Sequence, residues 1–146
     1  MTSCDTNILF AVCNRDSVHH HSARAFLAAH VGDARFVLCE QVLLELYGLL
    51  RNPSVSRSPL TAGEAVAMIQ SFRRNPLWRI VDVPPDRAVM DRVWRAASVA
   101  GFAYRKIFDI RLAETLRHHG VDAFATRNTR DFDGCGFARV FDPCLT

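Results

Sequence analysis

Long apolar runs are missing from this 146-residue chain, although 49% of its residues are hydrophobic. No stretch approaches the roughly 18 apolar residues of a membrane span, and the N-terminus lacks a basic region followed by a long apolar run. We therefore expect a soluble cytoplasmic protein that is neither exported nor membrane-bound. The length suits one compact domain, residues 1–146, with a sizeable buried core.

Paired cysteine motifs are also absent. The five cysteines are odd in number, lie mostly in apolar surroundings, and form no CxxC pair or zinc-like spacing: Cys4, Cys13, Cys39, Cys135 and Cys144. Such usage is typical of reduced core thiols in a cytosolic protein.

Lysine is almost absent, because Lys106 is the only one and the basic residues are otherwise arginines. Arginine suits bidentate phosphate contacts and also ordinary surface ion pairs. With a net charge of only +3, the composition permits binding to nucleic acid without requiring it.

Short apolar runs alternate with longer amphipathic segments, with no internal repeat or long linker. We predict strands at residues 3–5, 36–39, 78–81, 123–126 and 139–141. We predict helices at residues 7–13, 20–30, 41–51, 61–75, 86–101 and 109–119, with a capping box from Thr61 to Glu64 and a left-handed Gly120 after the last helix. This order favours an α/β fold whose parallel sheet is covered on both faces and binds ligands at the carboxyl ends of its strands.

Four acidic residues lie within or beside apolar segments: Asp5, Glu45, Asp109 and Asp131. A carboxylate near a hydrophobic core loses hydration worth several kcal/mol, so it must be paired, protonated or gathered around a cation. Four such residues in one short chain suggest a shared metal.

Each acid also has a simpler explanation. Asp5 and Asp109 stand near predicted helix starts and would serve as N-caps, and Asp131 follows a polar loop and would be a turn residue. Glu45 lies in mid-helix, where capping does not apply, so its alternatives are an exposed stripe or a salt bridge to an arginine. Asp133 competes with Asp131 for any acidic role, and Asn128 is a possible neutral ligand.

Considered together, three of the four acids are expected at strand-to-helix or strand-to-loop junctions on the ligand-binding edge of the sheet. Carboxylate oxygens are the ligands that Mg²⁺ and Mn²⁺ prefer, and such sites take phosphate as a further ligand. The pattern therefore indicates metal-assisted attack of water on a phosphodiester.

The segments Asp5-Thr6-Asn7-Ile8-Leu9, Glu45-Leu46, Asp109-Ile110-Arg111-Leu112-Ala113 and residues 126–132 resemble the PIN domain in order and spacing. The likeness spans nearly the whole chain and is greatest to the VapC toxins of type II toxin–antitoxin systems. It implies a three-layer α/β/α fold with a parallel sheet of four to five short strands. It also implies an endoribonuclease dependent on Mg²⁺ or Mn²⁺.

Carried over by motif, the resemblance makes Asp5 and Asp109 the principal metal ligands, with Glu45 and Asp131 completing the cluster. It gives a supporting role, orienting ligands or touching phosphate, to four further residues: Thr6, Asn7, Thr126 and Asn128. It further implies an RNA substrate, a homodimer, and a small VapB-type antitoxin that obstructs the acidic cleft.

Other patterns carry less weight. His19, His20 and His21 are consecutive and point in different directions, so we expect no joint metal site there. Arginines beside the acidic motifs could hold the RNA backbone: Arg111, Arg127 and Arg130. Six apolar residues are core candidates by their spacing: Phe72, Leu77, Trp78, Val89, Val93 and Trp94.

Other functions compete with that of a toxin ribonuclease. An Asp-nucleophile phosphatase would use Asp5 at a strand end, but it fails on spacing, because such enzymes often carry an acid two residues later, where this chain has Asn7. A noncatalytic binding module would use the acids only as helix caps. A PIN-domain nuclease that processes RNA without being a toxin would share the same acidic cluster.

Overall fold

The computed structural model describes residues 1–145 and contains one sheet of five parallel strands. The strands are β1 (Thr2–Cys4), β2 (Phe36–Cys39), β3 (Arg79–Val81), β4 (Ala123–Ala125) and β5 (Arg139–Phe141). They lie in the order β3-β2-β1-β4-β5. The chain therefore builds outward from β1 to one side, through β2 and β3, and then crosses to the other side of β1 to form β4 and β5.

Six helices surround this sheet: α1 (Thr6–Cys13), α2 (His20–Ala29), α3 (Glu40–Arg51), α4 (Ala62–Arg73), α5 (Ala88–Ala97) and α6 (Ile107–His118). Short 3-10 turns cover Tyr104–Lys106 and Thr129–Phe132. Successive residues of a strand point to opposite faces, and all four residues of β2 are fully buried. Both faces of the sheet are therefore covered, which confirms the predicted α/β fold.

Local signals placed most element ends within two residues. The strands at 36–39 and 139–141 match the prediction, and both bonds of the Thr61–Glu64 capping box are present. Gly120 has a φ of 86°, as expected of a residue that ends a helix in the left-handed region. The predicted α5, residues 86–101, is too long, because the helix covers only Ala88–Ala97. The Asp86 side chain accepts a hydrogen bond from the Ala88 N–H before the helix, and the Ser98 hydroxyl donates to the Arg95 carbonyl oxygen at its end.

Four of the six predicted core residues are buried: Phe72, Trp78, Val89 and Val93. Leu77 and Trp94 are 45% and 60% exposed, so their placement in the core was wrong. Trp94 follows Val93 directly and is turned away from the buried face that Val89 and Val93 share at helical spacing. The core extends instead across the sheet, through residues such as Phe36 and Phe124.

All five cysteines are free, and four of them are buried, which confirms that they pack as core thiols. Burial raises the pKa of Cys39 to about 11 and that of Cys13 to about 12. Neither thiol is therefore ionised at neutral pH. Within residues 1–145, no helix has the length and apolar character needed to cross a membrane.

The strand order reverses between β1 and β4, because the chain leaves β1 toward β2 while β4 pairs with the opposite edge of β1. In open parallel sheets, the carboxyl ends of strands at such a reversal flank a crevice where ligands bind. Asp5 directly follows β1 and Thr126 directly follows β4, so the topology brings residues 121 positions apart to one place.

Candidate functional site

Asp5 lies at the end of β1 and serves at the same time as the N-cap of α1. Its Oδ1 accepts a hydrogen bond from the Thr6 N–H at 2.7 Å. Its Oδ2 accepts from the Thr126 hydroxyl at 2.7 Å and from the Asn7 amide at 2.9 Å. The capping alternative is therefore correct for Asp5, but it accounts for only one of the two carboxylate oxygens.

The pKa of Asp5 is raised above its usual range, chiefly by burial. Hydrogen bonds from Thr126 and Thr6 oppose the rise, whereas the charges of Glu45 and Asp131 add to it. Glu45 and Asp131 therefore lie close enough to Asp5 to repel its ionised form, which is the electrostatic sign of a shared acidic site.

Glu45 projects from the second turn of α3 and is exposed, so the expectation that it is hard to place in solvent was wrong. The Thr6 hydroxyl donates to its Oε2 at 2.9 Å, and the Gln41 amide donates to its Oε1 at 3.2 Å. Among residues 1–145, no arginine forms a salt bridge with it. The contact with Thr6 ties the carboxylate to the segment that carries Asp5.

Asp109 occupies the first turn of α6, two residues after the helix begins at Ile107. It is not an N-cap, because Lys106 occupies that position. It also does not follow a strand, so only Asp5 and Asp131 come after strands as predicted. The pKa of Asp109 is raised to about 6, chiefly by burial and further by the charges of Asp5, Asp131 and Glu45, while Lys106 opposes the rise.

Asp131 lies in the 3-10 turn that follows β4, and its side chain is exposed. Asn128 precedes this turn, and its N–H donates to the Thr126 hydroxyl at 3.0 Å. Both residues line the same cleft as the other acids. Asp133 is exposed and is not among the residues that line this cleft.

The four acids thus face one open cleft with a volume of about 560 Å³. Its wall consists of Asp5, Thr6, Asn7, Glu45, Gly48, Leu49, Asn52, Asp109, Asn128, Asp131 and Phe132. Seven of the eight site residues expected from the sequence are in this wall, and the eighth, Thr126, is buried behind Asp5. Four wall residues were not predicted as site residues: Gly48, Leu49, Asn52 and Phe132. The first three lie three, four and seven residues after Glu45, so helical spacing could have found them.

The family model described as the PIN domain matches residues 3–137. Ribonuclease VapC24 of Mycobacterium tuberculosis is 51% identical over 143 residues, which are 98% of this chain and 97% of that protein. The chain belongs to the PIN domain family and is a VapC ribonuclease. Ribonuclease VapC41 of the same organism is 28% identical over 131 residues, covering 79% of this chain and 90% of that protein.

Solved structures of other proteins share the fold of this VapC ribonuclease. Mycobacterium tuberculosis VapC20, described as a sarcin-ricin loop cleaving toxin, aligns with a TM-score of 0.70 at 18% identity over 94% of this chain and 96% of that one. FitAcB from Neisseria gonorrhoeae aligns with a TM-score of 0.67 at 21% identity over the full length of both chains. At these identities the likeness establishes the three-dimensional fold.

The donor set of the cleft of this VapC ribonuclease suits a hard divalent cation. Its acidic side chains offer carboxylate oxygens, and Thr6, Asn7 and Asn128 add neutral oxygens, the atoms that Mg²⁺ and Mn²⁺ prefer. The acids share the cleft without converging on one point, since no three His, Cys, Asp or Glu side chains of residues 1–145 are grouped as a metal site. Their common effect is a concentration of negative charge.

Proposed function

We propose that this chain acts as the toxin of a type II toxin–antitoxin pair and hydrolyses RNA with Mg²⁺ or Mn²⁺ bound in the acidic cleft. Its place among the VapC ribonucleases makes it a toxin endoribonuclease. The proposal concerns the metal ion and the residues that would bind it. The observation that supports them is the single cleft that all four acids line. There, burial first and then the charges of the neighbouring acids raise the pKa of both Asp5 and Asp109. A divalent cation would remove that repulsion.

Asp5 and Asp109 would be the principal ligands, with Glu45 and Asp131 completing the cluster through direct or water-mediated contacts. When bound, the ion would activate a water molecule and neutralise charge on the scissile phosphate. No protein nucleophile is then required. Capping alone, the basis of the noncatalytic alternative, explains neither Asp109 nor Glu45.

The supporting residues would hold the ligands in place. Thr126 and Asn7 both donate to Oδ2 of Asp5, which leaves Oδ1 with a single protein donor, the Thr6 N–H. Thr6 also links Asp5 to Glu45, through its N–H to the first carboxylate and its hydroxyl to the second. Since these donors satisfy some of the carboxylate lone pairs and leave others free, they would orient the acids without blocking a cation.

RNA would approach the cleft along the exposed segment after β4. Arg127 and Arg130 are exposed there and flank Asn128 and Asp131. Arg111 is less available for RNA, because its guanidinium contacts Gln41 at 2.7 Å and Asp82 at 3.5 Å. Phosphate contacts of this kind would position the substrate and would not read its bases.

The remaining expectations are also proposals: a single domain over residues 1–146, a VapB-type antitoxin as partner, a homodimer, and a cytoplasmic location. The VapC relatives support the antitoxin. Exposed aromatic side chains support protein contacts in general, since Trp94, Tyr104 and Phe108 are each at least 60% exposed.

RNA cleavage by purified protein tests the metal and the acids together. We expect cleavage of structured RNA with Mg²⁺ or Mn²⁺, none in EDTA, and a loss of at least about 100-fold in Asp5→Asn and Asp109→Asn. Asp133→Asn is the matched control and should cleave normally, because Asp133 lies outside the cleft wall. Full activity in both cleft variants would refute the metal cluster, and growth unaffected by expression without a partner would contradict the toxin role.

A further inference from the structure

Gln41 is a buried polar residue whose side chain forms three hydrogen bonds, although it lies outside the cleft wall. It is the second residue of α3 and only 7% exposed. Its Nε2 donates to Glu45 Oε1 at 3.2 Å and to the Phe108 carbonyl oxygen at 2.9 Å. Its Oε1 accepts a hydrogen bond from Arg111 Nη1 at 2.7 Å.

The neighbours allow only one orientation of the Gln41 amide. Arginine can only donate hydrogen bonds, so the amide oxygen must face Arg111. The NH₂ group is then directed at two acceptors, the Glu45 carboxylate and the Phe108 carbonyl. A flipped amide would place NH₂ against the guanidinium and oxygen against two oxygens, losing all three bonds. Arg111 is in turn paired with Asp82 at 3.5 Å.

These bonds join the two helices that carry separate parts of the acidic cleft. Glu45 belongs to α3, whereas Phe108 directly precedes Asp109 in the first turn of α6. One NH₂ group therefore holds a carboxylate of one helix and the backbone beside a carboxylate of the other. Asp109 itself has no side-chain hydrogen bond within residues 1–145, so its position depends on where α6 is held.

We propose that Gln41 is a positioning residue that sets the spacing between Glu45 and Asp109 for metal binding. The inference rests on the proposed function, because it presumes that both acids face the same ion. Gln41 would touch neither the ion nor the RNA. Partners of this kind around metal ligands typically change metal affinity by about 10- to 100-fold when they are removed.

Mn²⁺ binding to the whole protein, measured by calorimetry without RNA, tests this role apart from activity. We expect Gln41→Leu to weaken Mn²⁺ binding by about 10- to 100-fold and to lower kcat for RNA cleavage, with little change in KM. Gln70→Leu is the matched control: Gln70 is a glutamine on α4 that accepts from Arg73 Nη1 at 3.2 Å. It should bind Mn²⁺ and cleave RNA as the unaltered protein does.

A second variant removes a hydrogen-bond partner of Gln41 and leaves Gln41 itself unchanged. Arg111→Met removes the donor that orients the amide, so it should weaken Mn²⁺ binding in the same direction even if Gln41→Leu does not fold. The inference is overturned if either variant, once shown to be folded by thermal unfolding, binds Mn²⁺ normally while Asp109→Asn does not. If Asp109→Asn also binds Mn²⁺ like the unaltered protein, the proposed metal site itself is wrong, and this inference falls with it.

Discussion

Asp109→Asn should stabilise the metal-free protein and destabilise it relative to the unaltered protein once Mg²⁺ is present. The pKa of Asp109 rises from 3.8 to about 6 in the folded state, so its ionised form costs folding free energy. This pKa difference between the folded and unfolded states corresponds to a free energy of about 3 kcal/mol. Because the side chain is only half-buried and solvent screens its charge, we expect about 1 kcal/mol, or a rise in Tm of about 3 °C.

The pH dependence follows from the direction of the shift. The folded protein holds the Asp109 proton more tightly than the unfolded chain, so the penalty is absent below pH 3.8 and complete above about pH 6. The advantage of the asparagine variant in EDTA should therefore be full at pH 7 and shrink toward pH 4.

Mg²⁺ should reverse the order of stability. At a concentration 100 times its Kd, the ion would add about 2.7 kcal/mol to the unaltered protein and much less to the variant. Thermal unfolding in EDTA and in Mg²⁺ measures both effects, with Asp133→Asn as a control that should follow the unaltered protein. The reasoning is refuted if Asp109→Asn gains no stability in EDTA at pH 7, or if Mg²⁺ stabilises both proteins equally.

Three further substitutions probe single features. Thr126→Val removes the hydroxyl that donates to Asp5 at 2.7 Å; we expect a higher Asp5 pKa and at least about tenfold weaker Mn²⁺ binding, measured by calorimetry at pH 7. Ser3→Ala removes a fully buried hydroxyl that has no hydrogen-bond partner in residues 1–145, so chemical denaturation should show unchanged or higher stability; a loss above about 1 kcal/mol would contradict this. Gly120→Ala forces a side chain into a φ of 86° and should cost about 1 kcal/mol by the same assay.

Short sequence patterns predicted many elements of the fold. The strand at Phe36–Cys39 is an unbroken apolar run, and the capping box at Thr61 is a pattern of four residues, so both could be predicted from local sequence alone. The parallel α/β sheet followed from the alternation of such segments. Trp94 was wrongly predicted to be buried. A helical pattern identifies an apolar face, but it does not show how much of that face the neighbouring elements cover.

By itself, the sequence determined which residues supply the carboxylates of the cleft. Few acidic residues lie within or beside apolar segments, and the residue type alone tells which side chains are carboxylates. Only the tertiary structure decided what each one does: that Asp5 both caps α1 and faces the cleft, that Asp109 is not a cap, and that Glu45 is exposed. The bonds from Gln41 to Phe108 and Arg111 span 67 and 70 residues. Contacts at that separation depend on how helices pack, which local propensity does not encode.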